Sequence, residues 1–224
     1  MSPATQAMQR DDTQNPAMLW VQDGEALWNR AEGGGAKSCA NCHGAAATSM
    51  RGVAARYPRF DPSLKKPVNL SERINLCRKN HQQAEPLAAE NQALLSIEAY
   101  VAHQSRGMPV SADGDPRLRP FRERGKKLFS QRIGQLDLSC AQCHDERAGE
   151  KLAGSIIPEA HPTGYPIYRL EWQAMGSLQR RLRNCITGVR SEPYPFGAQE
   201  LVELELYLNA RAAGMRIETP AVRP

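Results

Sequence analysis

No run of 18 apolar residues occurs anywhere in this 224-residue chain, which excludes a membrane-spanning helix and membrane insertion. Aromatic residues are scarce, 6% within a hydrophobic total of 41%. Two domains of about a hundred residues each would have thin cores on that composition unless something else fills them, and a large cofactor is a natural filler. The first residues, MSPATQAMQRDDTQ, lack the apolar centre of a secretion leader, so a leader has either been cut away or was never used. Basic residues outnumber acidic ones, giving a formal charge of +5. No basic strip is interleaved with aromatics as single-stranded nucleic-acid binders require, so nucleic acid is not expected as a partner.

Cysteine is not scarce. Six are present, and four fall into two short runs, CANCH at Cys39–His43 and CAQCH at Cys140–His144. Paired thiols of this kind point to metal or cofactor attachment rather than to a disulfide framework. The runs lie in a wider repeat. Gly24 precedes Cys39 by 15 positions and Gly125 precedes Cys140 by 15, with GEALW matching GKKLF. Further on, NQALLSIEAYVAHQSRGM (91–108) aligns with AQELVELELYLNARAAGM (198–215) at an offset of 107, against 101 around the motifs. An insertion of about six residues in the second copy accounts for the change.

Within each copy the pattern predicts a short helix, the cysteine motif, a long irregular middle and an amphipathic last helix. Leu94, Leu95, Ile97 and Val101, and Leu201, Leu204 and Leu208, carry the three-and-four spacing of that last helix. The middles, RYPRFDPSLKKP and IIPEAHPTGYPIY, are rich in Pro and Gly and predict loops wrapped around something rather than buried sheet. The expected architecture is all-α: an N-terminal arm 1–22, a first domain 23–108, a linker 109–123, a second domain 124–215 and a tail 216–224.

A Cys-x-x-Cys-His run is the attachment signature of a c-type haem. Two thiols on one helical turn add to the porphyrin's vinyl groups, and the next residue's imidazole reaches the iron. Cys39, Cys42, Cys140 and Cys143 are therefore the attachment residues for two covalently bound haems, with His43 and His144 as proximal ligands. Zinc or redox pairs are the alternative, but zinc ribbons place their halves about 15 to 20 residues apart. Here 97 residues separate Cys42 from Cys140, and each pair has its own His. Gly24 with Trp28, Gly125 with Phe129, and the last-helix tyrosines Tyr100 and Tyr207 resemble the crossing helices of class I cytochromes c, where glycine permits close approach.

The loop before the last helix, where an electron-carrying cytochrome places a Met ligand, holds cysteine here. Cys77 follows His43 by 34 positions and Cys185 follows His144 by 41; Arg73 and Arg181 each stand four positions earlier. Two readings of these thiols remain: a disulfide between them, or axial ligation of each iron. Their corresponding places in the two repeats favour ligation, and a thiolate stabilises ferric iron. His81, His161, Met175, Met108, Met215 and His103 are weaker ligand candidates. The arginines around Cys185 (Arg180, Arg181, Arg183 and Arg190) form either a solvated face or an anion site, and Arg181 lies one turn from the thiol.

At INLCRKNHQ, AYVAHQSRGMPV, HPTGYPIYRLEWQAMGSLQRRLRNCITGVRSEPYPFG and LELYLNARAAGMRIETPAVRP the chain resembles the SoxA family, dihaem cytochrome subunits of the SoxAX complex of bacterial sulfur oxidation. The resemblance implies a periplasmic location, a small cytochrome partner SoxX and a carrier protein SoxYZ. It also implies oxidative joining of thiosulfate to a SoxY cysteine, with release of two electrons. The family's active-site haem is the second, which makes Cys185, able to carry an extra sulfur as a persulfide, and Arg181 the expected catalytic residues. Retention of CANCH and Cys77 implies that both haems are present.

Overall fold

The computed structural model of the chain describes residues 1–111, 114–152 and 154–224; part of the expected linker, at 112–113, lies outside the described residues. Helix α1 (Pro3–Arg10) precedes a first half made of α2 (Met18–Asn29), the motif helix α3 (Cys39–His43), the short α4 (Ala46–Ser49), strands β1 (Arg59–Asp61) and β2 (Lys66–Val68), α5 (Leu70–Cys77) and α6 (Gln92–His103). The second half runs through α7 (Arg119–Ser130), α8 (Cys140–His144), strands β3 (Lys151–Leu152), β4 (Ser155–Ile156), β5 (Ile167–Arg169) and β6 (Ala174–Gly176), α9 (Leu178–Gly188) and α10 (Gln199–Arg211). Strand β7 (Ala221–Arg223) closes the chain. The offset between the halves grows from 101 at the motif helices to 108 at β5, which places the insertion between α8 and β5, the stretch that holds β3 and β4.

Each half is fastened where its first helix crosses its last. A Cβ on Gly24 would lie 2.1 Å from the Ser96 carbonyl oxygen of α6, and one on Gly125 would lie 2.0 Å from the Glu203 carbonyl oxygen of α10. Only a residue without a side chain lets the backbones touch there. One turn further, Trp28 meets Tyr100 at 6.0 Å between rings and Phe129 meets Tyr207 at 5.3 Å. The predicted apolar stripes of α6 and α10 are buried throughout.

Helix dominates, but the all-α expectation is too narrow. Strand β5 pairs antiparallel with β6 and parallel with β7, making a three-stranded sheet, and β1 pairs antiparallel with β2. Pro and Gly in the middle segments bound short strands rather than prevent them, and Ile167 and Tyr168 are buried. The arm 1–22 lies against the tail 216–224. Gln9 accepts from the Val222 amide at 3.1 Å and Asn15 donates to the Pro220 carbonyl at 3.0 Å. Ala17, Val21, Leu95, Ala99, Tyr168, Met175 and Val222 share one core cluster, so both chain ends bind the two halves together.

The halves also meet through backbone bonds between the Met108 and Met215 turns, Val110 N to Met215 O at 2.8 Å and Ile217 N to Met108 O at 2.9 Å. Between them lies a cavity of about 370 Å³, lined by Glu98 of α6 and its counterpart Glu205 of α10 and away from all six cysteines. Glu98 accepts from the Ser71 hydroxyl, and Glu205 accepts from Gln179 at 2.7 Å and Asn69 at 3.0 Å. Burial pushes both carboxyls up to about 7 from 4.5. The folded chain therefore holds these protons more tightly than the unfolded chain, so their contribution is full below about pH 4.5 and is lost as pH rises through about 7. Stability measured by denaturant unfolding is expected to fall between about pH 5 and 8, on the order of 3 kcal/mol per carboxyl at the upper end. Glu98→Gln should flatten that slope; an unchanged slope would contradict the assignment.

Candidate functional site

The motif helices are single turns that would not persist alone, and the same device holds each. Ser38 accepts from the Asn41 amide at 3.1 Å while Asn41 accepts from the Ser38 amide at 2.8 Å; Ser139 and Gln142 repeat the exchange at 3.2 and 2.9 Å. These reciprocal caps fix Cys39, Cys42 and His43, and Cys140, Cys143 and His144, at the same helical positions in both halves. Glycines in left-handed turns, Gly33 and Gly134, then press the preceding loops against the Gln82 and Val189 carbonyls. Those carbonyls lie just beyond Cys77 and Cys185, so each lone thiol is carried to its own motif.

The electrostatics follow that pairing. Burial pushes the Cys39 thiol up, and Cys77 adds to the shift; burial likewise raises Cys77, with Arg73 opposing and Cys42 adding. In the second half burial pushes Cys140 up to about 11, and Cys185 adds to the shift. All six cysteines are unbridged, and Cys77 and Cys185 stand in separate sites, which speaks against the disulfide reading. Among the described residues no three His, Cys, Asp or Glu side chains converge on a metal-sized point. The thiols are spread along helical turns, as attachment to the edge of a large ring requires.

His144 supports the same fit. Its Nδ1 hydrogen-bonds the Pro158 carbonyl at 2.6 Å, which fixes the ring and leaves Nε2 free for iron. Burial pushes His144 down, and the nearby Arg181 and Arg211 guanidiniums act in the same direction. His43 lies beside the Trp28 ring at 5.7 Å. The weaker ligand candidates have other places. Met175 is 1% exposed in the shared core, Met108 and Met215 belong to the turns joining the halves, His161 sits 3.5 Å from Glu159, and His81 is exposed.

The arginines sort themselves by partner. Arg180 stacks on Trp172 at 4.0 Å and lies 3.8 Å from Glu90; Arg183 stacks on Phe196 and donates to the Tyr194 carbonyl; Arg190 is exposed. Arg181 forms no ion pair among the described residues and lies within electrostatic reach of His144, Tyr165 and Arg169. Its counterpart Arg73 donates to Asp61 at 2.6 Å, and Asp61 is 6% exposed. The first half thus neutralises its arginine, while among the described residues Arg181 has no such carboxylate.

Two residues of the second site escaped the sequence reading. Burial pushes the Tyr165 phenol up to about 12, so it is neutral, with Arg181 and Arg169 drawing it down and Cys185 raising it. Arg169, on β5, is pushed down by burial and then by Arg181. The signal that could have found Arg169 is the repeat itself, since at the offset of 108 it stands where the first half has Asp61.

The SoxA/TsdA cytochrome c domain model matches residues 23–110 and again 124–217. The chain belongs to the SoxA/TsdA cytochrome c family. Over 220 residues it is 39% identical to the L-cysteine S-thiosulfotransferase subunit SoxA of Pseudaminobacter salicylatoxidans, covering 98% of this chain and 77% of that protein. The same subunit of Rhodovulum sulfidophilum is 36% identical, covering 98% of this chain and 76% of the relative. A crystal structure of SoxXA from P. pantotrophus superposes with a TM-score of 0.95 at 33% identity, over 100% of this chain and 84% of that one. Membership of the SoxA/TsdA family implies covalently bound c-type haem, and the Cys-x-x-Cys-His turns with their fixed histidines fit it.

Proposed function

We propose that this chain is the haem-bearing subunit of an L-cysteine S-thiosulfotransferase, joining thiosulfate to the cysteine of a SoxY-type carrier, SoxYZ. The observation that carries the reading is Arg181, which forms no ion pair among the described residues and stands one turn before Cys185 in the site of the second motif. The names of the SoxA relatives point the same way. Two haems are held, one by Cys39, Cys42, His43 and Cys77, the other by Cys140, Cys143, His144 and Cys185.

Arg181 binds the sulfonate end of thiosulfate through charge-assisted N–H donors, leaving the outer sulfur toward Cys185. The carrier thiol gives up its proton, and a sulfur–sulfur bond forms between it and that outer sulfur; one proton and two electrons are released. Bound haem would supply one-electron acceptance there, and a SoxX partner would be the next acceptor. Cys185 or its persulfide contributes to sulfur transfer or electron uptake, and Tyr165 keeps a neutral phenol beside both. Such chemistry belongs in the periplasm, where c-type haem and carrier meet.

Thiosulfate dehydrogenase activity, joining two thiosulfates into tetrathionate, is the rival outcome. Tetrathionate production without carrier is expected to be negligible beside carrier conjugation; efficient tetrathionate production with no conjugation would overturn the reading. Ligation has its own test. Electron paramagnetic resonance of the oxidised protein should show low-spin ferric haem of thiolate character in two components, with Cys77→Met removing one. A spectrum of His/Met or His/His type would contradict both assignments.

A further inference from the structure

We propose that Arg169 is the second arm of the anion site, forming with Arg181 a two-arginine clamp that exists only in the second half of the molecule. The inference rests on the thiosulfate reading above and deepens it.

The two halves can be compared residue by residue here, because their hairpins share one register. Strands β1 and β2 pair Arg59 with Val68 and Asp61 with Lys66; β5 and β6 pair Ile167 with Gly176 and Arg169 with Ala174, every position shifted by 108. The helices that follow begin on equivalent caps, Asn69 and Ser177. Asp61 and Arg169 therefore hold the same place relative to Arg73 and Arg181. In the first half that place carries a carboxylate, which accepts from the Ser63 and Leu64 amides at 2.8 and 2.9 Å and from Arg73 at 2.6 Å. The pair is closed, and an incoming anion would meet Asp61 as a repelling charge.

In the second half the same place carries a cation. Arg169 keeps only 14% of its side chain exposed, and its Nε is ion-paired with Glu171 Oε1 at 2.9 Å. Glu171 is half exposed, and Trp172 faces the guanidinium at 5.2 Å from its ring centre. Glu171, half exposed to water, offsets Arg169 only in part, and Arg181 lies within electrostatic reach of it, so a partly buried pair of guanidiniums gains from an anion that joins them. A sulfonate offers three oxygens, enough to accept from both arginines, so the outer sulfur of thiosulfate is left as the free end. The change from acid to base at one strand position explains why two sites with the same hairpin register would differ in function.

The test is anion binding to the oxidised holoprotein, followed by titration with thiosulfate and with sulfate, an unreactive competitor. Arg169→Asp rebuilds the first half's ion pair around Arg181. Both dissociation constants are expected to rise by about 100-fold, and Arg169→Lys, which keeps the charge but not the fork, should raise them by about tenfold. In the conjugation assay the loss should fall more on KM for thiosulfate than on kcat. Haem content and the oxidised spectrum report whether each variant has folded; should Arg169→Asp fail that check, Arg169→Gln decides, with a rise of about 30-fold expected. Wild-type dissociation constants for both anions in a haem-replete Arg169→Asp or Arg169→Gln protein would overturn the clamp. Failure of the wild-type protein to conjugate thiosulfate would overturn the transferase reading instead, while the sulfate titration still decides the clamp.

Discussion

Replacing Cys185 by Met is expected to lower thiosulfate conjugation by about a thousandfold or more while both haems stay attached. The thiol stands beside Cys140, in the same site as Arg181 and the neutral phenol of Tyr165. On the ligation proposed above, a thioether can still bind iron, so the variant would keep a sixth ligand but lose a sulfur that can be ionised or persulfidated. The informative comparison is Cys77→Met, which makes the equivalent change in the first half. There the counterpart of Arg181, Arg73, is already paired with Asp61. Cys77→Met should therefore alter the first haem's spectrum and cost conjugation less than about tenfold. Unchanged conjugation in Cys185→Met would remove that thiol from the chemistry.

Gly125→Val is expected to abolish incorporation of the second haem. The first Cβ atom alone would lie 2.0 Å from the Glu203 carbonyl and 3.0 Å from the Tyr207 Cβ, both parts of a helix that cannot yield locally. Helices α7 and α10 must separate, and Phe129, Leu201, Leu204 and Leu208, the core beneath Cys140, come apart with them. The cost is about 3 kcal/mol or more, a large share of the roughly 5–15 kcal/mol that holds a domain folded. Gly24→Val makes the equivalent clash against Ser96 in α6 and should act on the first haem. Haem-stained gels and the absorbance ratio of haem to protein would show the loss; normal haem content in either variant would contradict the crossing-helix reading.

Much of the site is legible in the sequence because the molecule is written twice. Matching Gly24 with Gly125 and Cys77 with Cys185 needs no coordinates, and the apolar stripes of α6 and α10 follow from spacing alone. The three-stranded sheet does not, since β5 pairs with β7 across more than fifty residues and each strand is only 3 residues long. Such short runs carry no alternation to count, and their pairing is decided by the core that Ala221 and Val222 enter. The arginines around Cys185 look alike in sequence, and only their partners distinguish Arg181 from Arg180 and Arg183. Arg169 was hidden for a related reason. Its meaning lies in its contrast with Asp61, which appears once the two hairpins are set in register.

The decisive measurement is the intact mass of the SoxY-type carrier subunit after incubation with thiosulfate, an electron acceptor and this protein with its SoxX-type partner. A single thiosulfonate adduct on the carrier cysteine is expected, with two electrons delivered to the acceptor per adduct, and no adduct above background with Arg181→Ala or Cys185→Met. A carrier of unchanged mass while tetrathionate accumulates, or a full adduct with the Cys185→Met protein, would contradict the assignment of this chain's second haem site as the place where thiosulfate is joined to the carrier.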